Sequence, residues 1–312
     1  MRPLQASSGD LNADRRADFA EMLFASGEPA QAAELLLGAL ELAPLWAVGW
    51  FRLGEMQEVA GRFDEAAQAW AMALKLEPAD RLGAALKLQL IGHLPATTAP
   101  PSAFVETLFD HYADGFEESL VGKLGYRMPG VLDRAIRAVR PGRFRLALDL
   151  GCGTGLMGER LRSIVDRLEG YDISASMLRK AKAKGIYDLL AKADLQRFSH
   201  AGAKPDLVVA ADVFIYVGAL DRIVAAVADA LDDRGVFAFS VETLAADEDF
   251  ALRPSRRYAH SERYVRRVLA ENGLLVLSLE STAIRHDRRE PVPGLAVLAG
   301  RVPSIDDRKT GT

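Results

Sequence analysis

Short apolar runs alternate with longer amphipathic stretches between residues 146 and 302. The runs that have strand length lie at 146–150, 167–171, 189–192, 206–211, 235–241, 274–280 and 295–302. Between them apolar residues recur at helical spacing, most clearly in 174–184, 220–231 and 261–272. This alternation predicts an α/β fold, in which a mostly parallel sheet of seven strands carries helices on both faces. A ligand is then expected at the carboxyl ends of the strands, where the strand order reverses.

The N-terminal part of the chain has a different pattern, a repeat with a period of 34 residues. Ala20, Gly27, Ala32, Ala39, Leu40 and Pro44 are followed 34 residues later by Gly54, Gly61, Ala66, Ala73, Leu74 and Pro78. This period is typical of tetratricopeptide helix pairs. The second copy resembles that family through Trp50, Leu53, Gly54, Gly61, Phe63, Ala66, Trp70, Ala73 and Pro78, whereas the first copy is degraded.

These patterns predict a helical repeat block at 13–94, whose last helix runs over 80–94. A linker rich in proline and small residues follows at 95–102. The second domain is expected at 103–302 and a tail at 303–312. Two repeats are fewer than such arrays usually need for stability, so the block is expected to lean on its last helix, on the second domain or on another subunit. It could dock a peptide or protein, or it could only pack or dimerise.

The stretch 146–161, LALDLGCGTGLMGERL, joins a predicted strand to a predicted helix through a glycine turn. Glycines alternate from Gly151 to Gly155, and glycine accepts positive φ and lets a ligand approach the backbone closely. The N–H groups at the start of the following helix favour ligand groups with negative charge. Residues 153–158 also fit G-x-G-x-x-G, and Asp172 follows near the spacing of a ribose-binding acid. The turn alone therefore leaves a nicotinamide cofactor open.

Asp149 lies two residues before the first glycine, where a nicotinamide-binding strand usually has no acid. An acid at this position before G-x-G-x-G resembles motif I of the class I S-adenosylmethionine-dependent methyltransferases. The resemblance implies a Rossmann-like methyltransferase sheet, S-adenosyl-L-methionine as cofactor and S-adenosyl-L-homocysteine as product. It also implies that Asp149 and the turn serve the methionine end of the cofactor, whose amine is a cation.

The same resemblance implies the rest of the cofactor site. Asp172, in GYDIS, matches the acid that accepts hydrogen bonds from the ribose hydroxyls, and Met177 matches an apolar residue against the adenine, although core packing explains Met177 equally well. Asp194 matches the acceptor for the adenine amine, with Leu195 beside it, and Asp212 follows the fourth strand near the methionine moiety. The cofactor-binding residues implied in this way are Asp149, Gly151, Cys152, Gly153, Gly155, Asp172, Ile173, Met177, Asp194, Leu195, Asp212 and Tyr112.

Residues 103–140 predict further helices ahead of the sheet. The string FDHYADGFEESLVGKLGYRMP resembles the segment that joins the repeats to the catalytic domain in predicted tetratricopeptide-containing methyltransferases. The resemblance implies a lid over the cofactor. Tyr112, Tyr126 and Arg127 are the candidates for reaching into the site from it, and the two tyrosines could instead only anchor the lid by packing.

The acceptor side of the site is expected after the fourth and fifth strands. Six arginines crowd residues 253–267, either as a solvated helix face or as a pocket for an anionic group. The candidate substrate-binding residues are Tyr126, Arg127, Tyr216, Arg257, Tyr258 and Arg285. His260 precedes Ser261, a plausible helix N-cap, so it is expected in a loop, where it could act as a general base.

Composition narrows the possible partners. The 312 residues carry 39 basic and 43 acidic side chains, a net charge of −4 that gives no electrostatic case for nucleic acid binding. The only cysteine, Cys152, excludes an intrachain disulfide and a cysteine metal cluster, and no His, Cys and Asp spacing suggests a metal. No apolar run reaches about 18 residues and the N-terminus has no signal core, so no membrane association and a cytoplasmic location are expected.

Together these features favour methyl transfer from S-adenosylmethionine to an oxygen or nitrogen of a small, anionic acceptor. Three alternatives stay open: a protein methyltransferase whose repeats dock the substrate, a nicotinamide-dependent oxidoreductase, and a non-catalytic interaction protein. The expected partner is a small molecule, with a protein partner or self-association through the repeats as the other possibility.

Overall fold

The chain forms two compact units, and the division between them falls between Thr107 and Leu108. The computed structural model describes residues 6–287 and 290–301. The expected tail at 303–312 and the last residue of the predicted strand 295–302 lie outside this range. Within it, no helix combines the length and the apolar character that crossing a membrane requires.

The first unit is all-helical. Its helices are α1 (Leu11–Ala25), α2 (Pro29–Leu40), α3 (Ala47–Val59), α4 (Phe63–Leu76) and α5 (Ala84–Leu90). Small residues let these helices approach: a Cβ at Gly54 would lie 2.4 Å from Nε1 of the fully buried Trp70. The prediction of a last helix over 80–94 was wrong at both ends. The Asp80 carboxylate accepts the N–H groups of Ala84 and Ala85, so the chain turns before α5 begins.

The second unit is built on one sheet with helices around it. Its helices are α6 (Ser102–Tyr112), in which the division between units falls, α7 (Met128–Val139), α8 (Leu156–Leu161), α9 (Ala175–Ala183), α10 (Asp221–Ala230) and α11 (Glu262–Glu271). Its strands are β1 (Phe144–Leu150), β2 (Val165–Asp172), β3 (Leu189–Lys192), β4 (Leu207–Ala210), β5 (Val236–Thr243), β6 (Phe250–Leu252), β7 (Tyr258–His260), β8 (Leu274–Asp287) and β9 (Glu290–Arg301).

The strand order confirms a mostly parallel α/β sheet. From one edge the order is β3, β2, β1, β4 and β5, all parallel; β9 then pairs antiparallel with β5, and β8 pairs antiparallel with β9. The reversal of order beside β1 and β4 places the ends of these two strands at the expected ligand edge.

The prediction of seven strands was wrong, because the described residues form nine. The two additional strands, β6 and β7, form a short hairpin that pairs with the last residues of β5. Since β9 occupies the other side of β5 there, the hairpin lies on the side of β4, beyond its end. Each is only three residues long, too short for a periodic signal, and β6 lies just before the arginine-rich segment while β7 lies within it.

Hydrophobic layers cover both faces of the sheet. Leu146, Leu148 and Leu150 face the layer that α10 and α11 provide. Ala147, on the opposite face, packs in the layer with α7 and α8. The core therefore holds the strands rigidly while their carboxyl ends remain at the edge that carries the candidate site.

Candidate active site

The turn after β1 is a glycine loop in left-handed conformations. Gly151, Gly153 and Gly155 have φ angles of 66°, 53° and 97°. The N–H groups of Gly151 and Cys152 both donate to the carbonyl of Tyr171, at 2.7 and 3.0 Å, which ties the turn to β2. A Cβ at Gly151 would lie 2.2 Å from a methyl of Val213, so this glycine also lets the segment after β4 approach the turn.

Asp149 is the penultimate residue of β1, and its carboxylate is buried beneath this turn. Its Oδ2 accepts the phenolic hydrogen of Tyr187 at 2.6 Å. Burial raises the pKa of Asp149 to about 7; the Tyr187 bond lowers it and the charge of Asp172 raises it. The group therefore titrates near neutral pH.

Asp172 is the last residue of β2, as predicted for a strand end. Its carboxylate accepts the N–H of Gly153 at 2.9 Å and that of Ser174 at 2.8 Å. Burial raises its pKa to about 6, against the lowering effect of these bonds. Ser174 caps α9 by accepting the N–H of Met177, so Asp172 does not serve as that helix cap. Ile173 is half-buried and Met177 is fully buried.

Asp194 follows β3 and shapes a short turn. Its side chain accepts the N–H of Gln196 at 2.9 Å, and the next residue, Leu195, is buried in the core. With Asp149, Asp172 and Asp212, it completes a row of acids at the carboxyl ends of the first four strands.

The segment 109–127, called the lid segment below, packs on α9 and the glycine turn. Asp110 accepts hydrogen bonds from the Ser174 hydroxyl at 2.6 Å and the Ser176 N–H at 3.1 Å. Ion pairs of 2.8 Å join Lys180 to Asp114 and Lys184 to Glu117. These contacts form a ladder along the lid segment, which the sequence analysis did not predict. Acids spaced by four and three residues ahead of a lysine-bearing helix could have indicated it.

Aromatic rings line the inner side of the lid segment. Phe109 packs edge to face on Phe116 and on Tyr216, with ring centroids 6.2 and 5.1 Å apart. Phe116 lies 3.9 Å from the position that a Cβ of Gly153 would take. The rings therefore cover the turn and the segment after β4.

The three residues proposed to reach inward from the lid segment have different surroundings. Tyr112 is 54% exposed, and Arg127 is exposed while its backbone N–H donates to the carbonyl of Ile284. Only Tyr126 is buried, and burial followed by the charge of Asp212 raises its pKa well above the ordinary value. The structure thus brings Tyr126 to the site and leaves the other two side chains at the surface.

Asp212 lies two residues beyond β4 in a left-handed conformation, with φ of 57°. Its N–H donates to the hydroxyl of Ser240 at 2.8 Å, and its carboxylate accepts both hydrogen bonds from Nη1 of Arg285, at 3.0 and 3.2 Å. Nη2 of Arg285 donates to Glu242 at the end of β5. Burial raises the pKa of Asp212 to about 6, against the opposing charge of Arg285. Sequence analysis missed Glu242, because nothing in a strand pattern reveals its partner on β8.

The arginine-rich segment divides into two parts. Arg257 is partly buried, and its Nε donates to the phenolic oxygen of Tyr216 at 3.0 Å. The negative charges of Glu242 and Asp212 also act on this guanidinium. The arginines of α11 are exposed and form ion pairs with surface acids, among them Asp249 and Glu262, which confirms a solvated face for that part.

The loop position expected for His260 was wrong. It lies on β7, fully buried, because the hairpin of β6 and β7 extends the sheet there. Its Nε2 is 2.6 Å from the carbonyl of Gly218, and burial lowers its pKa to about 4. Tyr258, a candidate for the pocket, is also buried and packs near Phe250. The prediction that Ser261 caps the following helix is confirmed.

No group of three or more His, Cys, Asp and Glu side chains suited to a metal occurs in the part of the chain that the structure describes. Arg285, which the sequence predicts in an acceptor pocket, is 2% exposed and forms ion pairs with two carboxylates. Its guanidinium is thus engaged within the protein.

Comparisons with known proteins address the region that carries this site. Residues 148–239 match the family model of the methyltransferase domain. No curated protein matches the chain. A solved structure of an S-adenosylmethionine-dependent methyltransferase from Clostridium acetobutylicum is 18% identical, covering 60% of this chain and 96% of that one with a TM-score of 0.46.

Two further solved structures are similar. An S-adenosylmethionine-dependent methyltransferase from Mesorhizobium loti is 22% identical over 54% of this chain and 96% of that chain, with a TM-score of 0.44. Magnesium protoporphyrin IX methyltransferase from Synechocystis, solved with bound S-adenosylmethionine, is 21% identical over 56% of this chain and 79% of that one, with a TM-score of 0.43.

Proposed function

We propose, on the premise that residues 148–239 form a methyltransferase domain with S-adenosylmethionine as its cofactor, that this protein methylates an oxygen or nitrogen of a small acceptor that carries an anionic group. The observation that carries this proposal is the set of buried acids around the glycine turn, Asp149, Asp172 and Asp212. Buried carboxylates suit a ligand that combines a cationic end with ribose hydroxyls.

The alternative of a nicotinamide cofactor loses support from the sheet. A dinucleotide-binding sheet of the Rossmann type continues in parallel order past the fifth strand. Here β9 runs antiparallel to β5 and to β8. The G-x-G-x-x-G string also has a packing explanation, since a Cβ at its last glycine, Gly158, would lie 2.3 Å from the Tyr187 hydroxyl.

The residues present fit the cofactor. A side chain at Gly151 would collide with Val213, and the glycines leave backbone open to a ligand. In our proposal Asp172 accepts the ribose hydroxyls, Met177 and Asp194 hold the adenine, and Asp149 and Asp212 face the methionine end. Each acid lies at or just beyond a strand end, where the rigid sheet fixes its position.

The bound cofactor supplies an activated methyl group on a sulfonium, which is already a good leaving group. The protein then has to align the acceptor and exclude water. We assign the exclusion of water to the rings of Phe109, Phe116 and Tyr216. His260 has no part in proton removal here, because it is fully buried and bonds Gly218.

We assign the anionic group of the acceptor to Arg257. Arginine binds carboxylate and phosphate through paired N–H donors, and the terminal NH₂ groups of Arg257 have this geometry to offer. Its Nε is fixed by Tyr216, so the guanidinium is held in place before an acceptor arrives. Arg285 cannot take this part because it already serves two carboxylates.

The helical block at 13–94, followed by the linker 95–102, is proposed as a pair of tetratricopeptide-like repeats ahead of the domain 103–302. Two successive helix pairs, α1 with α2 and α3 with α4, support this, as does the contact of Trp70 with Gly54. A protein acceptor docked by these repeats is the second candidate for the substrate.

The test is calorimetric titration of the full chain with S-adenosylmethionine, with NADH as a competitor and Asp172→Ala as the variant. Binding that is lost in the variant and indifferent to NADH would support the proposal. Displacement by NADH, or no binding to the wild-type chain, would overturn it. Small carboxylates and phosphate esters would then be tried as acceptors, with Arg257→Gln as the matched variant that should raise their KM.

A further inference from the structure

Three buried charges meet where β4, β5 and β8 come together. The side chains of Asp212 and Glu242 are each 9% exposed and that of Arg285 is 2% exposed. Arg285 bridges them, because Nη1 donates hydrogen bonds to both carboxylate oxygens of Asp212 and Nη2 donates to Glu242. Burying an ionised triad is costly, so its presence needs a reason other than stability.

The triad holds Asp212 in a conformation that the backbone alone disfavours. A φ of 57° costs free energy for a residue with a Cβ and persists only when surrounding contacts fix it. Here β5 fixes the backbone through Ser240, and β8 fixes the carboxylate through Arg285. Both of these contacts come from strands of the rigid sheet, so the orientation of Asp212 is fixed before any ligand binds.

Glu242 decides how strongly Arg285 neutralises Asp212. A guanidinium that is shared between two carboxylates neutralises each of them less completely than it would neutralise a single partner. The other groups that act on Asp212 are Arg257, between β6 and β7, and Tyr126 of the lid segment. The charge that Asp212 can offer a ligand therefore depends on the partner at the end of β5.

We propose that Glu242 is a positioning residue for the cofactor: by sharing Arg285 it keeps the Asp212 carboxylate aimed at the cationic methionine end of S-adenosylmethionine and only partly neutralised. This inference rests on the proposed function. Glu242 itself touches Arg285 and need not touch the cofactor.

The experiment is titration of the full chain with S-adenosylmethionine in a calorimeter at several pH values between 5 and 8. It compares wild type with Glu242→Gln, Asp212→Asn and the double variant. Glu280→Gln is the matched control, since Glu280 is an exposed acid on the same strand as Arg285. Thermal unfolding of each variant separates loss of binding from loss of fold.

In Glu242→Gln, Arg285 pairs with Asp212 alone. The affinity for S-adenosylmethionine should therefore fall roughly tenfold at pH 7.5, and the midpoint of its pH dependence should move to lower pH. Most of both effects should vanish in the Asp212→Asn background, because the group that Glu242 controls is then gone. The Glu280→Gln variant should match wild type.

Two outcomes overturn the inference. One is a Glu242→Gln chain with the wild-type affinity and midpoint. The other is an equal effect of Glu242→Gln with and without Asp212, which would make Glu242 an independent contact. Failure of wild type to bind S-adenosylmethionine would instead overturn the proposed function, so the two failures are distinguishable. If Glu242→Gln does not fold, Glu242→Asp provides the shortened acid, with the same expected direction and a smaller effect.

Discussion

Tyr187 reaches from the loop after α9 to Asp149 at the end of β1 and donates its phenolic hydrogen to Oδ2 across 2.6 Å. The ring occupies space that two glycines leave free, since a Cβ at Gly170 would lie 2.9 Å from it and a Cβ at Gly158 would lie 2.3 Å from its hydroxyl. The last glycine of the G-x-G-x-x-G string thus admits a tyrosine that sets the ionisation of the acid before the turn.

Removing this hydroxyl should weaken cofactor binding in a pH-dependent way. Tyr187→Phe deletes the bond that lowers the pKa of Asp149, so this pKa should rise above about 7. In the proposed function, a protonated Asp149 no longer attracts the methionine ammonium. Calorimetry should therefore show weaker binding of S-adenosylmethionine at pH 7, with recovery at pH 8.5 as the carboxyl ionises.

Tyr171→Phe is the control for that experiment. It also removes a phenol from a carboxylate, Glu169, with an O–O distance of 2.8 Å, but this pair lies away from the turn's acid. A loss of affinity equal to that of Tyr187→Phe, or one that is the same at both pH values, would contradict the role given to Tyr187.

The sheet could be predicted from the sequence because its strands are local apolar runs. The acids Asp149, Asp172, Asp194 and Asp212 could also be placed, since each follows or ends such a run and parallel strands bring their ends to one edge. The motif around Asp149 added the cofactor by resemblance. These features depend on a few consecutive residues.

Other features depend on partners that are distant in sequence and could not be predicted. Arg285 meets Asp212 73 residues away, and Glu242 43 residues away, through the pairing of β8 with β9 and of β9 with β5. The hairpin that buries His260 is three residues a side, too short for a periodic signal. Burial, and with it the roles of Arg285 and His260, follows from that long-range pairing.

Weakening the ion pairs of the lid segment should speed release of the cofactor. Asp114→Asn with Glu117→Gln removes the partners that the lid segment supplies to Lys180 and Lys184, while Lys184 keeps its ion pair with Glu159. The Lys180–Asp114 pair is exposed and the Lys184–Glu117 pair is half-buried, so a change of a few-fold is expected, and added salt should produce a change in the same direction in wild type. The measurement is the rate at which labelled S-adenosylmethionine leaves when chased with unlabelled cofactor.

Glu118→Gln is the control for the lid segment, because Glu118 pairs with Lys123 of the same segment and not with α9. Its release rate should equal that of wild type. If the double variant also released cofactor at the wild-type rate, and salt had no effect, the ladder would not hold the lid segment closed.

Two glycines with similar backbones should respond differently to alanine. Gly61 has φ of 76° with no atom within 4 Å of the place that a Cβ would take, so Gly61→Ala should cost only the strain of about 1–2 kcal/mol. Gly151 has φ of 66° and would also collide with Val213, so Gly151→Ala should add roughly 1–3 kcal/mol of overpacking. Urea unfolding, followed separately for each unit, measures the loss of unfolding free energy in each variant, and Gly151→Ala should lose more than Gly61→Ala. Equal losses would show that the segment after β4 moves aside freely.

His260 should make the protein less stable in mild acid. Its pKa is about 4 when folded and 6.5 in the ordinary state, so below pH 6.5 the unfolded chain takes up a proton that the folded chain refuses. The contribution is present above pH 6.5 and is lost as the pH falls toward 4, by up to about 3 kcal/mol.

His260→Gln keeps a donor for Gly218 without the titration, so its unfolding free energy should lose less than that of wild type between pH 7 and pH 4.5. The buried acids Asp149, Asp172 and Asp212 shift in the opposite direction, but they are common to both chains and cancel in the comparison. His200→Gln is the matched control, because His200 bonds the Ala203 carbonyl in an exposed loop, and it should follow wild type. Equal acid sensitivity of His260→Gln and wild type would mean that the His260 ring accepts a proton in the folded chain as readily as in the unfolded one.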